Sequence, residues 1–214
     1  MIRTYEPSEI DEITRILAPA FQDKVTAVIQ DDEKALRIIP TIIRSITGTI
    51  LVAIDGTIEP EETRHGDENI GSIDAQSEMK RSSGKMVGAI IVSVSEFKIT
   101  LPIILTCLRV LGIKGSWHAF GMVNDYLRSE PAKLPKEGRL EAVGVLDSVR
   151  GQGIGKDLTI KGEEFLRSQG MDHYGLGVKT DNPAYHLYQK LGFKEIVRYN
   201  NSLDDWIYMR KELK

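Results

Sequence analysis

Cysteine, aromatic rings and surplus charge are all scarce in this chain. Cys107 stands alone among 214 residues, which excludes an internal disulfide and a thiolate metal cluster. A reducing compartment fits that usage. Lys and Arg number 28 against 31 Asp and Glu, for a formal net charge of −3. Nucleic-acid binding driven by bulk charge is therefore excluded. The four histidines show no H-x-x-x-H or similar spacing, so no metal is expected. No run reaches the ~18 consecutive apolar residues of a spanning helix. The opening stretch MIRTYEPSEIDE turns polar too soon for a secretion signal. No membrane partner is expected, and the chain reads as soluble and cytoplasmic.

What is present is ordinary globular composition, 41% hydrophobic and 28% charged, which excludes disordered, collagen-like and coiled-coil classes. One domain over 1–214 is expected, long enough to bury a core without staples. Ile2–Tyr5 reads as a strand. Ser8, with Asp11 three residues on, opens a helix whose Ile10, Ile13, Ile16, Leu17 and Phe21 share a face. Asp31 and Asp32 cap a second helix, which Pro40 should kink or divide. Thr49–Ile54 and Met86–Val94 read as paired strands.

Residues 55–84 differ in kind. They carry eight acids (Asp55, Glu59, Glu61, Glu62, Asp67, Glu68, Asp74 and Glu78) and few large apolar side chains. A long acidic loop, either simply solvated or covering a cationic substrate, is expected. Residues 97–136 form a second insertion. Within it Ile99–Ile113 reads as a buried or groove-lining helix, too short to span a membrane. Trp117, His118, Phe120 and Tyr126 follow, and read as core packing or the lining of an acceptor pocket.

From Arg139 onward the rhythm sharpens. Leu140–Val145 reads as a strand, and Gly155–Gln169 as a helix stopped by Gly170. His173–Val178 is a strand. Pro183–Leu191 is a short helix with Asn182 as its cap. Phe193–Tyr199 and Asp205–Arg210 close the chain as strands. Between the first of these strands and its helix lies Arg150-Gly151-Gln152-Gly153-Ile154-Gly155-Lys156. Glycines let a backbone approach an anion closely, and a helix start offers free N–H groups with partial positive charge. A phosphate-bearing ligand is expected there. The dinucleotide fingerprint fails because Lys156 stands in the third glycine slot. The P-loop fails because Arg150 holds the first glycine slot and Asp157 follows Lys156.

The pattern that fits is R-x-x-G-x-G, at Arg150, Gly153 and Gly155. With its preceding strand it resembles the acyl-CoA-binding motif of the GNAT superfamily of N-acetyltransferases. Asn182-Pro-Ala-Tyr-His-Leu-Tyr188-Gln-Lys-Leu-Gly-Phe193 resembles the second element of that family, one residue shorter between Asn182 and Tyr188 than the commonest spacing. The resemblance covers about Leu140–Val197. It implies an α/β (α+β) acyl-CoA N-acyltransferase-like fold, with a mixed, strongly twisted central sheet flanked by helices and two insertions. Strands four and five should splay apart. The pantetheine arm of acetyl-CoA, the cosubstrate, would pair with the backbone of Val143, Gly144 and Val145. Its diphosphate would sit on Arg150, Gly151, Gln152, Gly153, Ile154, Gly155 and Lys156, with Asn182 nearby.

The implied reaction is direct transfer of acetyl to a primary amine, carried by a small cationic molecule or a protein. A lysine-like amine has pKa ~10.4 and must lose a proton before attack. Glu141, read as sharing a face with Val143 and Val145, is the candidate base; His118 is a second one. The leaving thiolate needs a proton, and the resemblance gives that role to Tyr188. A longer-chain acyl-CoA donor, with Ile99–Ile113 lining a channel, is the alternative enzyme. A CoA-binding sensor or interaction module is the alternative outside catalysis. Monomer and homodimer both remain open.

Overall fold

A computed structural model describes residues 1–45, 49–55, 84–94, 99–200 and 204–213. Most of the acidic stretch 55–84, and residues 97 and 98 of the second insertion, lie outside the described residues; so does His65.

Among the described residues, seven strands form one sheet in the order β1-β2-β3-β4-β5-β7-β6. They are β1 (Ile2–Thr4), β2 (Thr49–Ile54), β3 (Met86–Ser93), β4 (Glu137–Val145), β5 (His173–Lys179), β6 (Lys194–Asn200) and β7 (Asp205–Glu212). Only β4 and β5 run parallel. β3 is buried along its whole length, and β2 from its second residue on. That is why both read as continuous apolar runs rather than alternating ones.

Among the described residues five helices flank the sheet: α1 (Ile10–Ile29), α2 (Asp32–Ser45), α3 (Leu101–Ser129), which packs on α2, α4 (Ile154–Ser168) and α5 (Ala184–Lys190). α1 and α2 bury Ile13, Leu17, Ile39 and Ile43 against Ile50, Val52, Ala89 and Ile91. On the other face α4 and α5 bury Leu158, Leu166 and Tyr188 against Ile90, Val92, Leu140 and Leu176. Leu158 and Leu166 are fully buried, and truncating either to alanine would cost roughly 2–5 kcal/mol.

Three expectations change. A 3-10 turn, Pro7–Glu9, precedes α1, so the helix starts at Ile10 rather than Ser8. The reciprocal cap is made by Glu6 and Glu9, not by Ser8 and Asp11. Pro40 does not divide α2, which runs on to Ser45. A proline removes one backbone donor, and here the buried Ile38, Ile39 and Ile43 hold the helix on both sides of it. Third, α3 is not a buried helix. Ile103 and Cys107 pack on Ile38 of α2, but Leu101, Leu105, Leu108, Ile113 and Trp117 are exposed. Trp117 and His118 are exposed rather than core, whereas Phe120 packs on the Ile38, Ile103 and Cys107 cluster; the side chain of Tyr126 lies outside the described residues.

Candidate active site

The site begins where β4 leaves β5. Pairing between the two runs only from Glu137↔His173 to Leu140↔Leu176. β4 continues to Val145 against β3 alone, while Gly177–Lys179 of β5 continue against β7. The edge of β4 that faces β5 over residues 141–145 thus has no partner strand. Backbone donors and acceptors left this way seek another partner. Val143, Gly144 and Val145 lie in this stretch. Gly144 is a packing necessity as well: a Cβ there would stand 2.5 Å from the Ile16 carbonyl oxygen of α1.

At the end of β4 the chain makes a 3-10 turn, Asp147–Val149, and then the glycine turn into α4. Gly151 (φ 80°) and Gly153 (φ 87°) adopt left-handed backbone. Side-chain-bearing residues resist that conformation by roughly 1–2 kcal/mol. Gly155 is different: its φ is ordinary, and a Cβ would meet only Val145 Cγ2 at 3.7 Å. Asp157 N–H is the first to close a helical bond, onto the Gly153 carbonyl at 3.0 Å. The preceding N–H groups of the first turn point outward without intrahelical partners. Arg150 pairs with Asp147 at 2.8 Å, but both side chains are well exposed, so the pair is screened and readily exchanged for an incoming anion. Lys156 is exposed within the first turn of α4.

Tyr188 projects from α5 into the apolar cluster that Val143, Val145 and Ile154 border. Its ring meets Phe193 edge-on, with centroids 5.8 Å apart. Burial pushes its hydroxyl up to about 12, so at neutral pH it is a phenol with a proton to give. Asn182 accepts the Ala184 N–H on Oδ1 at 2.9 Å. Its side-chain oxygen is thus committed to starting the helix, and only its amide donors are left for a ligand.

Glu141 corrects the strand reading. Val143 and Val145 face α4 and α5, whereas Glu141 accepts a hydrogen bond from Ser93 Oγ. The register shifts between Ile91 and Val92, which pair with Ala142 and Leu140, so Glu141 is the extra residue of a bulge. A bulge breaks the two-residue alternation. Leu140 therefore belongs to the cluster under α4 and Ala142 to the one under α1. Glu141 and Tyr188 flank the gap between β4 and β5 from opposite faces of the sheet.

Sequence reasoning missed a polar network beside Glu141. Glu137 is fully buried, paired with Arg210 at 3.1 Å, and accepts the Leu134 N–H at 2.8 Å and the Tyr208 hydroxyl. Arg139 bonds Glu130 at 2.5 Å and the Pro131 carbonyl at 2.8 Å. Arg139 and Arg210 lie over the Tyr208 ring, with guanidinium carbons 5.3 and 5.4 Å from its centroid. Burial opposes the Arg139 charge, but Glu130, Tyr208, Glu141 and Glu137 together hold its pKa above the ordinary value. Burial and the Glu137 bond push the Tyr208 hydroxyl up. The signal was present as alternation: Glu137, Arg139 and Glu141 in one strand, Tyr208 and Arg210 in another.

The family model described as the Acetyltransferase (GNAT) family matches residues 82–193. A mycothiol acetyltransferase from Paenarthrobacter aurescens (strain TC1) is 45% identical over 87 residues, 40% of this chain and 26% of that protein. The match thus spans about a quarter of that relative's length. Solved structures share the fold over nearly the whole chain. One, histone acetyltransferase HPA2 and related acetyltransferase from Corynebacterium glutamicum ATCC 13032, has a TM-score of 0.61 at 17% identity, covering 99% of this chain and 94% of that one. An aminoglycoside 6'-N-acetyltransferase complexed with coenzyme A has a TM-score of 0.55 at 14% identity, covering 100% and 97%.

Proposed function

Because the chain belongs to the GNAT acetyltransferase family, we propose that it moves an acetyl group from acetyl-CoA to a primary amine by direct transfer in a ternary complex. The observation that carries this reading is the end of β4–β5 pairing at Leu140, followed at the end of β4 by a glycine turn and the start of α4. The pantetheine arm is assigned to the free edge at Val143–Val145. The diphosphate is assigned to the turn Gly151–Lys156, with Arg150 released from Asp147 to meet it.

The amine enters from the α1–α3 face, where Glu141 takes its proton directly or through water. The amine nitrogen then attacks the thioester carbonyl carbon. The oxygen that becomes negative is held by a free N–H of β4 near Val143. As the carbon–sulfur bond breaks, the thiolate takes the proton that Tyr188 carries. The acceptor is a small cationic molecule or a protein amine. The acids of residues 55–84 and Glu141 favour a cation through their charge. Acetyl is preferred to a longer acyl group because, within Ile99–Ile113, Ile103 and Cys107 pack on Ile38 of α2 while Leu101, Leu105, Leu108 and Ile113 face outward rather than toward Tyr188. The cytoplasm is the compartment that fits the single, buried Cys107.

The test is a thiol-release assay with acetyl-CoA over polyamines, aminoglycosides, amino acids and peptides. Amine-dependent release that Tyr188→Phe lowers supports the reading. Tight CoA binding with no transfer to any amine overturns it in favour of a binding module.

A further inference from the structure

The exposed side of α3 belongs to none of the chemistry above. Leu101, Leu105 and Leu108 repeat at one-turn spacing and are 65%, 57% and 40% exposed. At Gly112 the helix breaks, with φ 70° and ψ −178°, a conformation for which glycine is suited. Beyond the break Ile113 and Trp117, again one turn apart, are 80% and 82% exposed. The inward side is occupied: Ile103 and Cys107 pack on Ile38, and Ala119 is buried. So the outward leucines before the break, and the isoleucine and tryptophan beyond it, are exposed apolar groups of two helical segments rather than a misplaced core.

The charge on this segment is of one sign. From Ile99 to Asn124 there is no Asp or Glu, in a chain whose acids outnumber its bases. The charged residues in that stretch are Arg109 and Lys114, both exposed, and His118 is exposed beside them. A helix that shows leucines and a tryptophan with basic residues between them, and no acids, has the composition of one lying in the headgroup region of an anionic bilayer. Tryptophan favours that depth because its ring is apolar and its N–H polar. Pairing this side with a second copy across a two-fold axis would set Arg109 and Lys114 against themselves or each other. An anionic surface neutralises them instead. No described helix is long and apolar enough to cross a membrane, and surface attachment requires none.

We propose that the exposed apolar groups of α3 before and beyond Gly112, with Arg109 and Lys114 between them, dock the protein on anionic lipid surfaces. This inference does not depend on the acyl-transfer reading. It revises the expectation of no membrane partner, which rested on the lack of a spanning run.

The experiment uses the full chain with phosphatidylcholine vesicles, and with vesicles of equal parts phosphatidylcholine and phosphatidylglycerol. Trp206 is buried and Trp117 exposed, so a blue shift of emission reports Trp117 entering lipid. Co-sedimentation with the anionic vesicles is expected, weakening as salt rises. Arg109→Gln and Lys114→Gln should each weaken it about fivefold. Leu105→Glu with Trp117→Glu should abolish it, with the circular-dichroism spectrum and CoA affinity unchanged. Three results would overturn the proposal. One is no association at low salt. Another is equal association with neutral vesicles. The third is a doubled sedimentation mass that Leu105→Glu with Trp117→Glu halves while vesicles bind nothing, which makes this side an interface between copies.

Discussion

On the sheet face covered by α4 and α5, the groups assigned to the donor are backbone N–H groups and one phenol, Tyr188, set among apolar side chains. On the face covered by α1 and α2, the polar groups are charged side chains: Glu141 beside the gap, and Arg139, Glu137, Glu130 and Arg210 behind it. The first set is placed by local geometry, a turn with two left-handed glycines and a short capped helix. The second is placed by contacts between residues far apart in the chain, such as Tyr208 with Glu137. Under the proposed function the donor would be held largely by backbone and the acceptor met by charged side chains.

The network face should respond most strongly in stability. Glu137→Ala leaves Arg210, the Tyr208 hydroxyl and the Leu134 N–H without their shared partner, and should cost about 3–5 kcal/mol in urea unfolding. A loss under 1 kcal/mol would mean that this face is not held by its charges.

The donor face should respond in turnover. Tyr188→Phe keeps the ring against Phe193, so CoA affinity should stay within about twofold while kcat falls roughly 100-fold. With its hydroxyl pushed up to about 12, Tyr188 also sets no alkaline limb in the ordinary assay range. A limb below pH 10 that disappears in Tyr188→Phe would contradict the burial argument.

The same hydroxyl links the donor face to stability. Its folded pKa lies above the unfolded value near 10, so its stabilising share is complete below pH 10 and is lost as pH rises toward 12. That share is about 2–3 kcal/mol, and Tyr174 and Tyr208 act in the same direction. Unfolding in denaturant between pH 9 and 12 should show a shallower decline in Tyr188→Phe.

Gly153→Val should raise the Kd for CoA about tenfold through strain of roughly 1–2 kcal/mol at φ 87°. Arg150→Gln should raise it only about threefold, with stability changed by less than about 0.5 kcal/mol, because the Arg150–Asp147 pair is exposed. Calorimetric titration of CoA checks both, and the Arg150 effect should shrink with added salt.

The legible part of this molecule was its short-range part. The glycine turn, α4, α5 with its Asn182 cap, and the β2–β3 pairing were all readable from residue types at fixed offsets. Gly155 shows where that reading stopped. It looked like the third member of a set, but neither its φ nor its surroundings require glycine in the chain alone. Under the proposed function, close approach of the diphosphate would call for it. The parity of Glu141 was misread because a bulge is set by pairing with β3, and no property of β4 alone announces it. The helix over Ile99–Ile113 was recognised, but not that one side of it stays exposed. Apolar periodicity says that a face exists, and only packing against α2 says which face is covered.

By itself, the sequence determined the elements whose conformation is local: left-handed glycines, caps and runs buried on both sides. Those depend on steric limits within a few residues. Tertiary structure alone decided where β4 parts from β5, which side of the sheet Glu141 takes, how Glu137 gathers Tyr208 and Arg210, and which side of α3 stays outside. Each of these is a matter of register or facing between segments up to about 70 residues apart, where nearest-neighbour sterics no longer constrain the chain.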